Sequence, residues 1–427
     1  MFSAEENELL TRTCPGTLMG TLFRRYWLPF MLAAELPEAD LPPKRVTLLG
    51  EDLVVFRDSQ RRIGLLDRHC PHRRADLFFA RNEDCGLRCT YHGWKFETTG
   101  QCVDMPAEPA NSNYKERIRI KAYPTREAGG VIWAYLGDPK VEPAELPELE
   151  WTQVPIDRVF VSKRLQHSNY AQAIEGGLDS SHVSFLHRTF TEVQTQTTGQ
   201  DGFLVQRPLY MVKDTRPRFF VNDTNYGFTI GARRDATQSE YYWRISQFLM
   251  PCFTIIPSAV GRPLTGHCWT PIDDYNCWAF TISWHPDRAL TDLELHEYRE
   301  GEQIHARVDQ KFLTAANKSN DYLIDRQMQR KVNFTGIVGV GVQDMSVQEG
   351  MGPITDRTKE HLGLSDTAIV HWRRMMLQEA KKLSADAAAV PRGVSNEKAY
   401  RVRGGAALVA KDKNVFEELG ASLMGTN

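Results

Sequence analysis

The sequence predicts an α+β protein with a small N-terminal β domain and a larger domain in which strands and helices mix. Three observations predict it. A chain of 427 residues is too long for one ordinary domain. Short β-rich runs begin near residue 45, and the proline-rich, acidic segment DPKVEPAELPELEW (138–151) then separates them from the rest of the chain.

Residues 1–40 are predicted to form a helical segment. Residues 5–12 read as a short helix that ends before Cys14-Pro15-Gly16. A second helix is expected through LMGTLFRRYWLPF until Pro29, because proline cannot continue a helix.

Residues 41–140 are predicted to form the β domain and residues 141–427 the larger one. The runs RVTLLG, EDLVVFRD and RRIGLLDR are separated by Gly, Asp and Ser, as hairpins require. Beyond the linker, strand-like runs such as 241–250 and 277–285 occur with helical stretches near 169–188 and 365–383.

Charge and hydropathy limit the kinds of partner that the protein is expected to bind. The chain has 52 basic and 54 acidic residues, a net charge of -2, and both signs are scattered, so no nucleic-acid or membrane surface is expected. No apolar run of eighteen residues occurs, and the N-terminus MFSAEENELLTRT is acidic, unlike a secretory signal. We expect a cytoplasmic protein whose partners are small molecules or other proteins.

Four of the eight cysteines lie within residues 70–102, in the stretch that begins CPHRRADLFFARNEDCGLRCTYHGW. It contains two Cys/His pairs separated by sixteen residues, namely Cys70-x-His72 and Cys89-x-x-His92. Two thiolates and two imidazoles could hold a tetrahedral zinc. One Cys and one His in each loop also suit a [2Fe-2S] cluster in which one iron takes two Cys and the other two His. Cys85 and Cys102 are interpreted as packing residues or free thiols.

A second group of chemically active residues lies in SNYAQAIEGGLDSSHVSFLH (168–187). Glu175, Asp179, His182 and His187 follow one another at intervals of four, three and five residues. Two histidines with a nearby carboxylate fit the 2-His-1-carboxylate triad of non-heme iron oxygenases. The two histidines converge only if the helix kinks or turns between them; otherwise they are ordinary histidines at a helix end.

The two motifs together resemble the α (oxygenase) subunits of Rieske non-heme iron aromatic-ring oxygenases. The matching patterns are CPHR, C-x-YHGW-x-F and G-x-C in the first half and Glu-Asp-His-His in the second. The resemblance implies an N-terminal Rieske [2Fe-2S] domain followed by a helix-grip catalytic domain, an antiparallel sheet with helices. It also implies that Cys70 and Cys89 hold one iron of the cluster and that His72 and His92 hold the other.

The resemblance further implies a mononuclear Fe(II) held by His182, His187 and a late carboxylate. Asp344 is the expected third ligand, with Glu349 as the alternative. In this family the position of Asp179 links an iron-ligating histidine to a Rieske histidine of the neighbouring subunit. The implied assembly is therefore a homotrimer or two stacked trimers, in which Asp179 relays electrons between subunits.

Later segments resemble the phthalate dioxygenase branch, namely NDYLIDRQMQRKVNFTGI (320–337) and QDMSVQEGMGPITDRTKEHLGLSD (343–366). That branch implies an aromatic carboxylate and O2 as substrates, with cis-dihydroxylation as the expected reaction. Monooxygenation or oxidative O-demethylation of a methoxylated acid is the alternative. A Rieske electron carrier with an inactive second site is the alternative from another class.

No nicotinamide fingerprint occurs in the chain, so NADH is expected to act through a separate flavin/iron-sulfur reductase. Arg207 and Arg244 stand in apolar, strand-like surroundings, where a guanidinium can bind a substrate carboxylate. Because side chains alternate along a strand, a solvated outer face explains either arginine equally well.

Overall fold

The computed structural model describes residues 2–109, 111–190, 209–258, 261–301 and 303–425. Its α-helices are α1 (Ala4–Thr11), α2 (Leu18–Phe23), α3 (Glu150–Gln153), α4 (Tyr170–Leu178), α5 (Leu209–Lys213), α6 (Asp292–Glu300), α7 (Arg326–Lys331), α8 (Val340–Gly350), α9 (Thr367–Ala385) and α10 (Val415–Glu418). No helix in these ranges is both long enough and apolar enough to cross a membrane.

The strands of the N-terminal half are β1 (Trp27–Leu32), β2 (Lys44–Leu48), β3 (Glu51–Arg57), β4 (Ile63–Asp67), β5 (Arg81–Glu83), β6 (Gly86–Arg88), β7 (Lys95–Phe96), β8 (Cys102–Asp104), β9 (Ala122–Tyr123), β10 (Thr125–Ala128) and β11 (Val131–Tyr135). Those of the C-terminal half are β12 (Val159–Gln166), β13 (Arg218–Asp223), β14 (Gly227–Asp235), β15 (Glu240–Leu249), β16 (Phe253–Ile256), β17 (Leu264–Pro271), β18 (Cys277–Trp284) and β19 (Gly405–Ala410).

The N-terminal β domain consists of three small antiparallel sheets. Their strand orders are β2-β3-β4-β9, β5-β6-β7-β8 and β1-β11-β10. The β4–β5 connection carries the first Cys/His pair, and the β6–β7 connection carries the second. Both loops pack over one hydrophobic cluster, which includes Phe56, Leu87 and Phe96.

The helix expected to continue to Pro29 ends at Phe23, and the prediction is wrong beyond that residue. The apolar run from Trp27 is strand β1, which pairs with β11. Five of its six residues are buried, as a short apolar strand allows. Pro29 is tolerated because β1 is an edge strand, where a missing N–H disrupts one side of the ladder only.

The C-terminal half is built on one antiparallel sheet with the order β12-β18-β17-β16-β15-β14-β13, and β19 pairs with β15. Helices α4 and α9 contact this sheet. Gly177 lets α4 approach closely, since a Cβ there would lie 2.4 Å from the Trp269 ring. The buried residues of α9 include Trp372, Met376 and Leu383, as its apolar spacing predicts. The expected α+β class is confirmed.

Hydrogen bonds and a shared core join the two halves. Thr270 donates to the Pro29 carbonyl over 2.7 Å, and the Gly50 N–H donates to Ile272 O over 2.8 Å. A single hydrophobic cluster includes Leu28 from the first half and Phe253 from the second. Residues 138–149, which the structure describes throughout, form neither helix nor strand. The domain bounds at 40 and 140 stay predictions.

Candidate metal centres

The two Cys/His loops share one backbone geometry. The N–H of Cys70 donates to Ala75 O and that of Cys89 to Trp94 O, in each case five residues on. Their carbonyls accept from residues four further along, Arg74 and Gly93. Both of those residues have positive φ, 59° and 77°. Position 93 also has no room for a side chain, because a Cβ there would lie 2.5 Å from Pro106 Cγ. The loops therefore present their ligands in equivalent ways.

The two cysteines are buried and close enough to affect each other's pKa. Cys70 is 1% exposed and Cys89 is 4% exposed. The neighbouring Cys70 thiol lowers the pKa of Cys89, and backbone N–H groups at Tyr91 and His92 act in the same direction against burial. The same contact raises the pKa of Cys70. The pair therefore loses its first proton readily, which gives a thiolate, the form that binds iron.

The two histidines lie on the outer side of the cysteines. The ring centroids of His72 and His92 are 4.4 Å apart, and His72 stacks on Trp94 at 4.4 Å. His72 is exposed and His92 half-buried, in contrast to the buried thiols. A cluster held by these four residues would have its histidine side nearest to the protein surface.

The second motif adopts the turn that convergence of its histidines requires. Helix α4 ends at Leu178, Asp179 is its C-cap with ψ 114°, and His182–Ser184 forms a 3₁₀ turn. The Nε2 atoms of His182 and His187 lie 3.2 Å apart. Asp344, on α8, places Oδ1 3.5 Å from the first of these atoms and 3.3 Å from the second.

These three ligand atoms fit a single metal ion. Ligand atoms about 2.1 Å from one ion and at right angles to each other are about 3.0 Å apart, close to the observed triangle. Among the described residues, this is the one group of three or more His, Cys or carboxylate ligand atoms within 4.8 Å of one another. No three ligand atoms of Cys70, His72, Cys89 and His92 lie within that distance of one another. This wider spacing suits an iron-sulfur cluster better than a single zinc ion.

Asp179 holds His182 in the orientation that the triad needs. Its carboxylate accepts from the Ser181 N–H over 2.6 Å and the His182 N–H over 3.2 Å, and it lies 3.5 Å from His182 Nδ1. Burial acts to raise the pKa of Asp179, but these hydrogen bonds outweigh it and lower the pKa. With Nδ1 facing a carboxylate, Nε2 of His182 is left with its lone pair toward the metal position.

Gln343 does the same for His187, and no sequence motif points to this residue. Its Oε1 lies 2.7 Å from His187 Nδ1, while its Nε2 donates to Ile337 O over 2.9 Å. The second bond fixes which end of the amide faces the histidine, so His187 Nδ1 donates and Nε2 carries the lone pair.

Two carboxylates from the motif segments, Glu175 and Glu349, lie outside the triad. Glu175 is buried at the junction of three elements, where it pairs with Arg357 over 2.9 Å and Arg373 over 2.7 Å. Glu349, the alternative third ligand, accepts from the Tyr322 hydroxyl and from the His167 N–H. Both are engaged in contacts that hold the fold together.

Arg244 faces the triad side of the sheet. Its neighbours Trp243 and Ile245 pack on the opposite face with Val409, whereas its positive charge acts to lower the pKa of His182. Within the described ranges, Arg244 Nε is buried without a hydrogen-bond partner. Arg207, the other predicted substrate contact, lies outside the described residues.

A second arginine, Arg234, lies on the same face and was not selected from the sequence. It is 1% exposed and donates to Ser180 O over 2.7 Å and to Asp214 O over 3.1 Å. Burial and the charge of Arg244 lower its pKa to about 10. Neither arginine forms a salt bridge with a carboxylate among the residues that the structure describes.

Comparison with known families accounts for most of the chain. Residues 26–124 match the Rieske [2Fe-2S] domain family, and residues 134–424 match the family described as LigXa C-terminal domain like.

Curated relatives match along nearly the full length. The chain is 38% identical to the phthalate 4,5-dioxygenase oxygenase subunit of Pseudomonas putida, over 96% of this chain and 93% of the relative. It is 35% identical to the 3-chlorobenzoate-3,4-dioxygenase oxygenase subunit of Comamonas testosteroni, over 94% and 93%. It is 33% identical to the 5,5'-dehydrodivanillate O-demethylase oxygenase subunit of Sphingobium sp., over 90% and 82%.

Solved structures share the fold. The terminal oxygenase of carbazole 1,9a-dioxygenase from Novosphingobium sp. KA1 superposes with a TM-score of 0.57 at 21% identity, covering 88% of this chain and 99% of the other. A fluorene-bound oxygenase and ferredoxin complex of carbazole 1,9a-dioxygenase gives the same TM-score and identity, over 87% and 95%.

Proposed function

The chain belongs to the Rieske non-heme iron oxygenases as an oxygenase subunit of the phthalate dioxygenase-like branch, and we propose that it cis-dihydroxylates an aromatic carboxylate. It is an oxidoreductase with a Rieske [2Fe-2S] cluster and a non-heme iron, and in this family NADH supplies electrons through a separate reductase. The proposal concerns the substrate, the reaction and the roles of individual residues.

The observation that carries the substrate proposal is the pair of arginines beside the triad. Arg234 and Arg244 lie on one sheet face, and the buried Arg244 Nε has no partner within the described residues. A buried guanidinium is stabilised by an anion, and a carboxylate matches its paired donors. Arg244 is therefore proposed to bind the substrate carboxylate, and Arg207 keeps the same proposed role.

The metal roles follow the geometry of the two centres. Cys70, His72, Cys89 and His92 are proposed to hold the cluster, and His182, His187 and Asp344 the mononuclear iron. When bound, that iron supplies oxygen activation at its open coordination positions. Asp179 and Gln343 keep both histidines in the ligating tautomer, and Asp344 is held ionised because the neighbouring histidines outweigh the effect of burial on its pKa.

The proposed assembly is a homotrimer, or two stacked trimers, in which Asp179 also accepts a hydrogen bond from the partner subunit's His92. Two features support it: the Asp179 side chain is 21% exposed, and His72 and His92 lie toward the protein surface. The proposed electron donor is a flavin/iron-sulfur reductase. None of the eight cysteines, all of which lie in described residues, forms a disulfide, which supports a cytoplasmic location.

Monooxygenation or O-demethylation remains the second candidate reaction, because one relative is an O-demethylase subunit. An electron carrier with an inactive second site is less well supported. A relic has no need to keep two imidazoles and a carboxylate within 3.5 Å together with their hydrogen-bond partners.

Oxygen uptake by the iron-loaded protein tests the proposal. The assay contains NADH and a reductase of this class, and it screens phthalate isomers, substituted benzoates and methoxybenzoates with product masses recorded. Substrate-coupled uptake with a gain of two oxygens and two hydrogens supports cis-dihydroxylation. Loss of CH2 with formaldehyde release identifies a demethylase instead. Cluster reduction without substrate-coupled uptake contradicts the oxygenase proposal, with Asp344→Ala as the matched inactive control.

A further inference from the structure

The sheet face that carries Arg244 holds a second set of polar atoms without partners. Thr254 Oγ1, His267 Nδ1 and Arg164 Nε are all buried, and none of them has a hydrogen-bond partner in the part of the chain that the structure describes. Buried polar atoms of native proteins are nearly always paired, so a cluster of unpaired ones marks a place where water or a ligand binds.

Strand register places Thr254 and His267 side by side. Thr254 on β16 is directly opposite His267 on β17, so both side chains project from the same face. Stacking on Trp269, with ring centroids 5.4 Å apart and planes 20° apart, holds the imidazole in place. His267 is half-buried, so its ring borders open space and is not sealed in the core.

Arg164 supplies a positive charge behind this pair. It projects from β12 on the same face, because Arg164 pairs with Ala279 and Ala279 pairs with Trp269. It is 5% exposed. Burial and the Arg164 charge lower the pKa of His267 to about 4, although Asp344 acts in the opposite direction. The imidazole is therefore neutral near pH 7 and offers one donor and one acceptor.

The two polar regions interact with different residues of the triad. Asp344 interacts electrostatically with Arg164 and His267, whereas Arg244 interacts with His182. Through the pairs Phe248–Thr254 and Thr254–His267, the register puts Arg244 four residues along and two strands across from His267. These steps separate the two Cα atoms by about 16 Å.

We propose that His267 forms a second polar contact in the substrate cavity, which binds an oxygen substituent of the ring remote from the carboxylate at Arg244. The inference rests on the proposed function and specifies its substrate class further. The cation behind the pair favours an oxygen that accepts hydrogen bonds. Such an oxygen belongs either to a second carboxylate or to an uncharged ether or carbonyl group.

Binding of matched acids to the iron-loaded protein tests this contact. Calorimetry compares benzoate with isophthalate, terephthalate and the 3- and 4-methoxybenzoates, for wild type, His267→Phe and His267→Gln. Wild type is expected to bind at least one oxygen-bearing acid about tenfold more tightly than benzoate, the effect of one hydrogen bond. His267→Phe is expected to abolish that preference and leave benzoate affinity unchanged, whereas His267→Gln, which keeps a donor, retains part of it.

The outcomes separate this contact from the proposed function. A preference confined to the dicarboxylates identifies a second carboxylate, and one for the methoxybenzoates identifies an uncharged oxygen; either supports the contact. Absence of any preference in wild type, or an equal loss for benzoate and its analogues in His267→Phe, overturns the contact alone. Failure of wild type to bind every aromatic acid overturns both. If His267→Phe does not fold, the smaller His267→Leu decides by the same comparison.

Discussion

Gln343 and His187 form a hydrogen bond that orients one proposed metal ligand, with Gln343 Oε1 2.7 Å from His187 Nδ1. The opposite ring nitrogen lies 3.3 Å from Oδ1 of Asp344, the residue that follows Gln343 on α8. One turn of helix therefore supplies both a ligand and the group that orients another ligand.

Replacing Gln343 is expected to weaken iron binding while the cluster stays intact. Gln343→Leu removes the acceptor for His187 Nδ1, and loss of such a partner lowers metal affinity roughly 10- to 100-fold. The measurement is mononuclear iron content against chelator concentration. Gln343→Glu keeps an acceptor oxygen and should bind iron nearly as wild type does. Equal affinity in the leucine variant would remove the orienting role.

The third ligand can be tested by comparing two carboxylates on the same helix. Asp344→Asn is expected to lose the mononuclear iron and keep the iron and acid-labile sulfide of the cluster, because a neutral amide binds iron poorly. Glu349→Gln should keep both, since Glu349 contacts Tyr322 and His167. Metal analysis with the visible spectrum of the cluster distinguishes the two. Full mononuclear iron in Asp344→Asn would contradict the assignment.

The sequence points to candidate ligands of the two centres more directly than to the residues that surround them. Cys70, His72, Cys89 and His92 lie in two short loops, so their spacing alone limits the kinds of metal site that they can form. Gln343 could not be recognised in this way, because its role depends on a hydrogen bond to a loop carbonyl at Ile337.

Two features of the strands were harder to predict from the sequence: the burial of a charged residue and the secondary structure of an apolar run. Arg234 follows Arg233 and precedes Asp235, a sequence typical of a solvated strand end, yet it is 1% exposed because the pairing of β14 turns it inward. The run after Phe23 contains a proline that reads as a helix stop. It is an edge strand, because tertiary pairing with β11 outweighs local propensity.

Asp179→Asn is expected to slow electron delivery without loss of either metal centre. Asparagine keeps the size of the side chain, but only one of its two terminal atoms accepts hydrogen bonds, so His182 Nδ1 competes with the Ser181 N–H for it. Stopped-flow reoxidation of the reduced cluster, with substrate and O2 present, should slow roughly 10- to 100-fold. Ser180→Ala is the neighbouring control. A wild-type rate in Asp179→Asn would rule out the relay.

Glu175 is expected to be a determinant of stability. Glu175→Gln leaves Arg357, which is fully buried, and Arg373 short of a counter-charge, and breaking a buried pair costs about 3–5 kcal/mol in the free energy of unfolding. Urea denaturation measures the difference. Glu8→Gln, at an exposed pair with Arg12, should cost about 0–1 kcal/mol.

The stabilisation by Glu175 should depend on pH in one direction. Burial acts to raise the pKa of Glu175, but Arg357 and Arg373 outweigh it and lower the folded-state pKa. The difference between wild type and Glu175→Gln is therefore fully present above the unfolded pKa of about 4.3 and shrinks as the pH falls through the lowered folded value. A difference that grew on acidification would contradict this sign.

Arg244→Met is expected to weaken binding of a carboxylate substrate roughly 10- to 100-fold, because a hydrogen bond to a charged group contributes about 1.5–3 kcal/mol. The matched control is Arg233→Met. Arg233 lies on the adjacent strand but faces the other side of the sheet, with its guanidinium 4.2 Å from the Tyr241 ring centroid. Calorimetric titration with the aromatic acid that supports oxygen uptake measures both. Only Arg244 faces the triad, so an equal change in the two variants would indicate a general effect of charge. Unchanged affinity in Arg244→Met would exclude Arg244 from the substrate site.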